Sequence, residues 1–92
     1  MVGEAIITLK DDLSVAVIQH AIEREKRLLT LAINQIEEKL AAFEARFGTR
    51  DRQSLFGTVD DMDLIEWEGE DDTLARLRQR LHRLKEIQVE PR

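Results

Sequence analysis

The sequence predicts an all-α fold, a long antiparallel helical hairpin of coiled-coil character that self-associates into a bundle. Three observations carry this. Ile22, Leu29, Ile33, Ile36, Leu40, Phe43 and Phe47 recur at heptad-like spacing, with Lys26 as the one interruption, which lays an apolar seam along one side of a helix. A second seam of Trp67, Leu74, Leu77, Leu81 and Leu84 follows, widened by Leu64, Ile65 and Ile87. Between and around them, one Pro and four Gly in 92 residues leave few enforced breaks.

The first ten residues form an N-terminal arm. Ala5-Ile6-Ile7-Thr8-Leu9 is a short β-branched apolar run that reads as a strand, and a lone strand needs a partner. The same strand of a second subunit is the simplest one. Asp11 or Asp12 then caps a helix, because a carboxylate there accepts from orphan backbone N–H groups.

The first helix is expected over 13–47, where neither Pro nor Gly occurs; 35 residues at 1.5 Å each would span roughly 50 Å. Its first half is less tidy: Val15, Val17, Ile18, Ala21 and Ile22 cover a wide arc, and Gln19 and Lys26 fall on seam positions. That part is expected to be splayed and wet. Arg46-Phe47-Gly48 is a helix ending, with a cation in the last turn and Gly at the left-handed cap. Residues 48–61 form a connector in which a helical turn docks Leu55 and Phe56, and Asp60-Asp61 caps the next element. The second helix is expected over 62–89, with a division at Gly69 and a stop at Pro91. The first helix exceeds the second in length, so burying the rest of its seam calls for a dimer or tetramer in which Ile22, Leu29, Ile33, Ile36, Leu40, Phe43 and Phe47 form the oligomer interface.

Composition narrows the function classes. The chain reads as one small domain over 1–92, near the size where a single core is barely sufficient. With no Cys there is neither a disulfide framework nor a thiolate metal site, and a cytoplasmic location is the expectation. There is no run of 18 apolar residues, so no membrane span is expected. A net charge of −5 disfavours unaided binding to nucleic acid. No phosphate loop or nucleophile motif is present, so the chain is read as a non-enzyme without cofactor. His20 and His82 are the two histidines; a metal pair with carboxylates such as Glu23 is conceivable in a bundle, and the preferred reading is a pair of surface or rim histidines.

The most distinctive stretch is 60–72, which holds eight acidic residues and no base; the remaining twenty residues hold six Lys and Arg against two acids. Acids at a helix start match its macrodipole. They also suit a basic partner, with Asp60, Asp61, Asp63, Glu66, Glu68 and Glu70 steering it and Trp67 as the anchor. Trp67 equally fits the seam, so core and interface both stay open. Arg76, Arg78, Arg80, Arg83 and Lys85 are spread around their helix and read as a solvated face.

The order of features carries a family resemblance. A long amphipathic helix ends in Phe43-Glu44-Ala45-Arg46-Phe47-Gly48; a polar connector follows, then Ile65-Glu66-Trp67-Glu68-Gly69-Glu70 opens a Leu-rich charged helix. Over roughly Ile33 to Ile87 this resembles small bacterial and archaeal antitoxins, TumA-type partners of TumE-type toxins, with their F-E-x-K-Y-G ending and W-E-G-E opening. Here Arg46-Phe47 replaces Lys-Tyr, and the connector lacks the family's Ser-Glu-Glu-Phe character. The resemblance implies an antitoxin that neutralises a small basic toxin by direct contact and regulates its own operon. Two other readings stand beside it. Residues 6–13 look like the strand and helix start of ribbon-helix-helix repressors, in which Thr8 and Lys10 would face the major groove. A structural coiled-coil scaffold without toxin partner is the third.

Overall fold

The computed structural model describes residues 5–48, 52–55, 57 and 60–91. Strand β1 (Ala5–Leu9) leads into helix α1 (Asp12–Phe47); a 3-10 turn (Arg52–Leu55) precedes helix α2 (Asp61–Lys85), and strand β2 (Ile87–Pro91) closes the chain. The helices form an antiparallel hairpin in a body measuring 60 × 26 × 17 Å. Met1–Glu4 of the expected arm, and Thr49–Asp51, Phe56, Thr58 and Val59 of the connector, lie outside the described residues.

Both helix starts and the end of α1 follow from local chemistry. Asp11 is extended and its Oδ1 accepts from the Ser14 backbone N–H at 2.7 Å, satisfying one orphan donor of the first turn. Asp60 does the same for α2, accepting from the Met62 N–H at 2.9 Å. Helix α1 ends at Gly48, whose φ of 72° puts it in the left-handed region that residues with a Cβ avoid. Its N–H donates to the Glu44 carbonyl at 2.7 Å. Leu55, on the 3-10 turn, is half-buried.

The two seams face each other. Leu29, Ile33 and Ile36 of α1 and Leu64, Trp67 and Leu74 of α2 are buried. Leu40, Leu77 and Leu81 pack around the Ile33–Ile36–Leu74 cluster. Ion pairs cross the hairpin in antiparallel order: Arg46–Asp63 at 3.3 Å, Lys39–Glu70 at 3.4 Å and Arg80–Glu25 at 3.2 Å. All have at least one well-exposed partner, so they set register more than stability.

Three expectations need correction. Helix α2 runs unbroken through Gly69, because one glycine weakens a helix without interrupting its hydrogen bonds. It stops at Lys85 and not at residue 89: Glu86 is its C-cap, and Ile87, expected on the seam, begins β2. Alternation of Ile87 and Val89 with Gln88 and Glu90 favours a half-buried strand over a further helical turn. Ile65, also assigned to the seam, points outward and is exposed.

The largest difference is at the strand end. β1 pairs with β2 of the same chain, in parallel and in register from Ala5↔Ile87 to Leu9↔Pro91. Ile7, Leu9, Ile87 and Val89 are half-buried, whereas Ile6, Thr8, Gln88 and Glu90 are exposed. Gln19 Nε2 donates to the Val89 carbonyl at 3.4 Å, which lays β2 along the first turns of α1. Here Val15 is buried and Ile18 and Ile22 half-buried, so the expected splayed, wet half of α1 is covered on one side. The difference in helix length that called for a second chain is met in part by these strands. Lys26, the polar break in the seam, reaches out to Glu23 at 3.0 Å.

Candidate interaction face on the second helix

The acidic segment divides into residues with a structural task and residues without one. Asp60 caps α2. Asp63 and Glu70 are partly buried and hold Arg46 and Lys39 of α1. Asp61, Glu66 and Glu68 are exposed and make no ion pair or side-chain hydrogen bond among the described residues. Further along, Asp72 reaches Arg76 at 3.8 Å with both side chains largely exposed. The dipole of a helix favours acids only within its first turn, so Glu66, Glu68 and Asp72 exceed what the helix start requires.

Trp67 is not on this face. It is 2% exposed and lies parallel to two rings of α1: Phe43 at 5.5 Å and 7°, and Phe47 at 5.8 Å and 15° between centroids and planes. These separations are those of offset stacking, which adds to the area that the rings bury. Arg46 closes the cluster from outside, its guanidinium 4.9 Å from the Phe47 centroid while it pairs with Asp63. Of the two places the sequence left open for Trp67, the structure has it in the core.

What the outer side of α2 offers instead is Met62 and Ile65, which are 68% and 61% exposed. Three residues apart, they are neighbours on the helix surface, and Gly69 extends their line by one further turn. Ile65, Glu68, Gly69, Asp71 and Asp72 together line a shallow hollow. A Cβ placed on Gly69 would meet nothing within 4 Å, so the backbone itself is open to approach there. The arrangement is a small apolar strip with carboxylates beside it. The spacing of Met62 and Ile65 was readable in the sequence, but Ile65 also satisfied the seam pattern and was assigned to it.

Of the residues expected at an oligomer interface, Ile22 lies beside β2 and the others lie along the α1–α2 seam of one chain. Leu29, Ile33 and Ile36 are buried there, and Ile22, Leu40, Phe43 and Phe47 are half-buried. The histidines stay apart: His82 Nε2 is 2.9 Å from Glu86 Oε1, and His20 lines a surface hollow with Val17, Arg24 and Leu28. Among the described residues no three His, Cys, Asp or Glu side chains come close enough to hold a metal ion. Nor is any described helix long and apolar enough to cross a membrane. Thr8 and Lys10 are exposed as the repressor reading requires, but Thr8 stands opposite Glu90 on the outer face of the sheet. A carboxylate there repels a phosphate backbone.

No protein-family model, no curated protein and no solved structure matches the chain.

Proposed function

We propose that this protein is an antitoxin-like binding module that neutralises a small basic protein by direct contact, using the outer face of α2 between Asp61 and Asp72. The observation that carries this reading is the exposed pair Met62 and Ile65 beside Asp61, Glu68 and Asp72. Apolar side chains at the centre of a contact supply affinity, and surrounding acids steer a cationic partner to it and select against anionic ones. The rigid Phe43–Phe47–Trp67 stack directly behind holds this turn of α2 in place. The resemblance to toxin-binding antitoxins points to the same segment. Control of its own operon belongs to that resemblance alone.

The test is co-expression with any small basic protein encoded beside it, followed by titration of the two purified proteins at several salt concentrations. A one-to-one complex that weakens with salt is expected. Ile65→Lys should weaken it more than about tenfold, the behaviour of a residue at the centre of a contact, with helix content unchanged. If Ile65→Lys and Glu68→Lys both bind as the native chain does, this face is not the site. If no complex forms at all, a structural scaffold is the better reading.

A further inference from the structure

Helix α1 carries a second apolar strip on the side away from its seam. Leu13, Val17, Leu28 and Leu31 are each at least half exposed. At about 100° per residue, these four and Arg24 lie within about 60° of one another, opposite Val15, Ile22 and Ile33. Val17, Ala21, Arg24 and Leu28 line a hollow there. The charge beside this strip is positive: Arg24 and Arg27 are exposed and make no ion pair among the described residues. The two acids between Leu13 and Leu31 are engaged elsewhere, Glu23 with Lys26 and Glu25 with Arg80. The outer face of α2 is its counterpart of opposite sign. There Met62 and Ile65 are exposed, the backbone is open at Gly69, and no base occurs from Asp61 to Asp72.

We infer that the outer face of α1 in one copy docks, antiparallel, on the outer face of α2 in a second copy. The register that sets Leu28 against Ile65 also sets Leu31 against Met62 and Arg24 over Gly69, where no Cβ stands in the way. Arg27 and Glu68 lie on the same flank of their strips at that helical spacing, and antiparallel packing brings like flanks together. Glu68 then faces Arg24 and Arg27, and Asp72 lies within a turn of Arg24. Asp72 is free to exchange partners, because its contact with Arg76 is 3.8 Å long and exposed. Apolar pairs supply contact area, and the opposed charges select the occupant. Charge also decides against a two-fold contact of α1 with itself: setting Leu13 against Leu31 and Val17 against Leu28 brings the two Arg24 side chains within a turn of each other. The α1–α2 contact is head to tail, with one face left open at each end, so copies add in a row or close into a ring. The inference does not rest on the toxin-binding reading, but it uses the same α2 face, so a basic partner competes with a second copy.

Sedimentation of the full chain over a range of concentrations and salt, with far-UV circular dichroism as a check on folding, tests it. The native chain should grow beyond a dimer as concentration rises and fall back in high salt. Two charge-reversed variants separate the faces, one with Arg24→Glu and Arg27→Glu, the other with Glu68→Arg and Asp72→Arg. All four side chains are exposed, so helix content should hold. Each variant alone should associate about tenfold more weakly, because surface attractions become repulsions. Mixed together, the two should associate again, since the acidic α1 face of one meets the basic α2 face of the other. A native chain that stays monomeric at every concentration, or stops at a dimer, overturns the inference. So does association that ignores both reversals, or a mixture that stays apart. The Arg24→Glu, Arg27→Glu variant keeps its α2 face intact and should still bind a basic partner, so failure of self-association and failure of partner binding are told apart.

Discussion

The two ends of this hairpin bury the same long helix in different ways. At the connector end, α1 meets another helix, and Phe43 and Phe47 close over Trp67, which retains 2% of its exposure. At the strand end, α1 meets a two-stranded sheet, and Val15 is buried while Leu13, two residues before it, stays 75% exposed. A facing helix presents side chains at matching intervals, so knobs fill holes along the seam. A narrow sheet covers one arc and leaves the next open. The difference teaches that a facing helix covers α1 along its seam, whereas a narrow sheet covers the seam at Val15 and leaves the residues beside it open.

If that contrast is right, removing an anchor should be most damaging at the connector end. Trp67→Ala should destabilise the fold by about 3–5 kcal/mol, the range for deleting a buried aromatic side chain, seen as a lower denaturant midpoint. Loss of partner binding with the midpoint unchanged would place Trp67 at an interface after all. At the strand end, Val89→Asp puts a charge on the half-buried face of β2 and should lower stability by about 1–3 kcal/mol. Amide exchange should speed up in β1, β2 and the first turns of α1 while the Ile33–Ile36–Leu74 region stays protected. Uniform loss of protection would mean the two ends unfold as one unit.

Two glycines sharpen the comparison with opposite signs. Gly48→Ala forces a side chain into the left-handed region and should cost about 1 kcal/mol. Gly69→Ala should stabilise α2 by about 0.5–1 kcal/mol, because alanine is the better helix former and its Cβ meets nothing there. Weaker partner binding by a more stable Gly69→Ala variant would support close approach to that backbone. The smallest effect is expected from Arg78→Ala, which removes a 2.8 Å pair with Glu37 between two exposed side chains. A change beyond about 0.5 kcal/mol would exceed what such pairs contribute.

The elements that the sequence revealed most fully are those whose causes are local. The Asp11 and Asp60 caps, the Gly48 ending and the α1 seam each need only a few neighbouring residues to be read. The candidate site was half legible. Its segment was marked by charge, but Trp67 was left open between core and interface and Ile65 was assigned to the seam, because both fit a widened seam and the larger aromatic was the more obvious anchor. Only a defined packing angle between α1 and α2 turns one inward and the other out.

The sequence by itself thus determined two amphipathic helices, their polarity, their caps and an acidic opening to the second. Those follow from spacing, backbone freedom and the helix dipole, all of which act over a turn or two. The tertiary structure alone decided that β1 finds its mate at the far end of the chain, that Trp67 stacks between helices, and which carboxylates of α2 pair with α1. Such outcomes depend on residues far apart in sequence competing for the same limited buried area, and that competition is resolved only when the helices are in place.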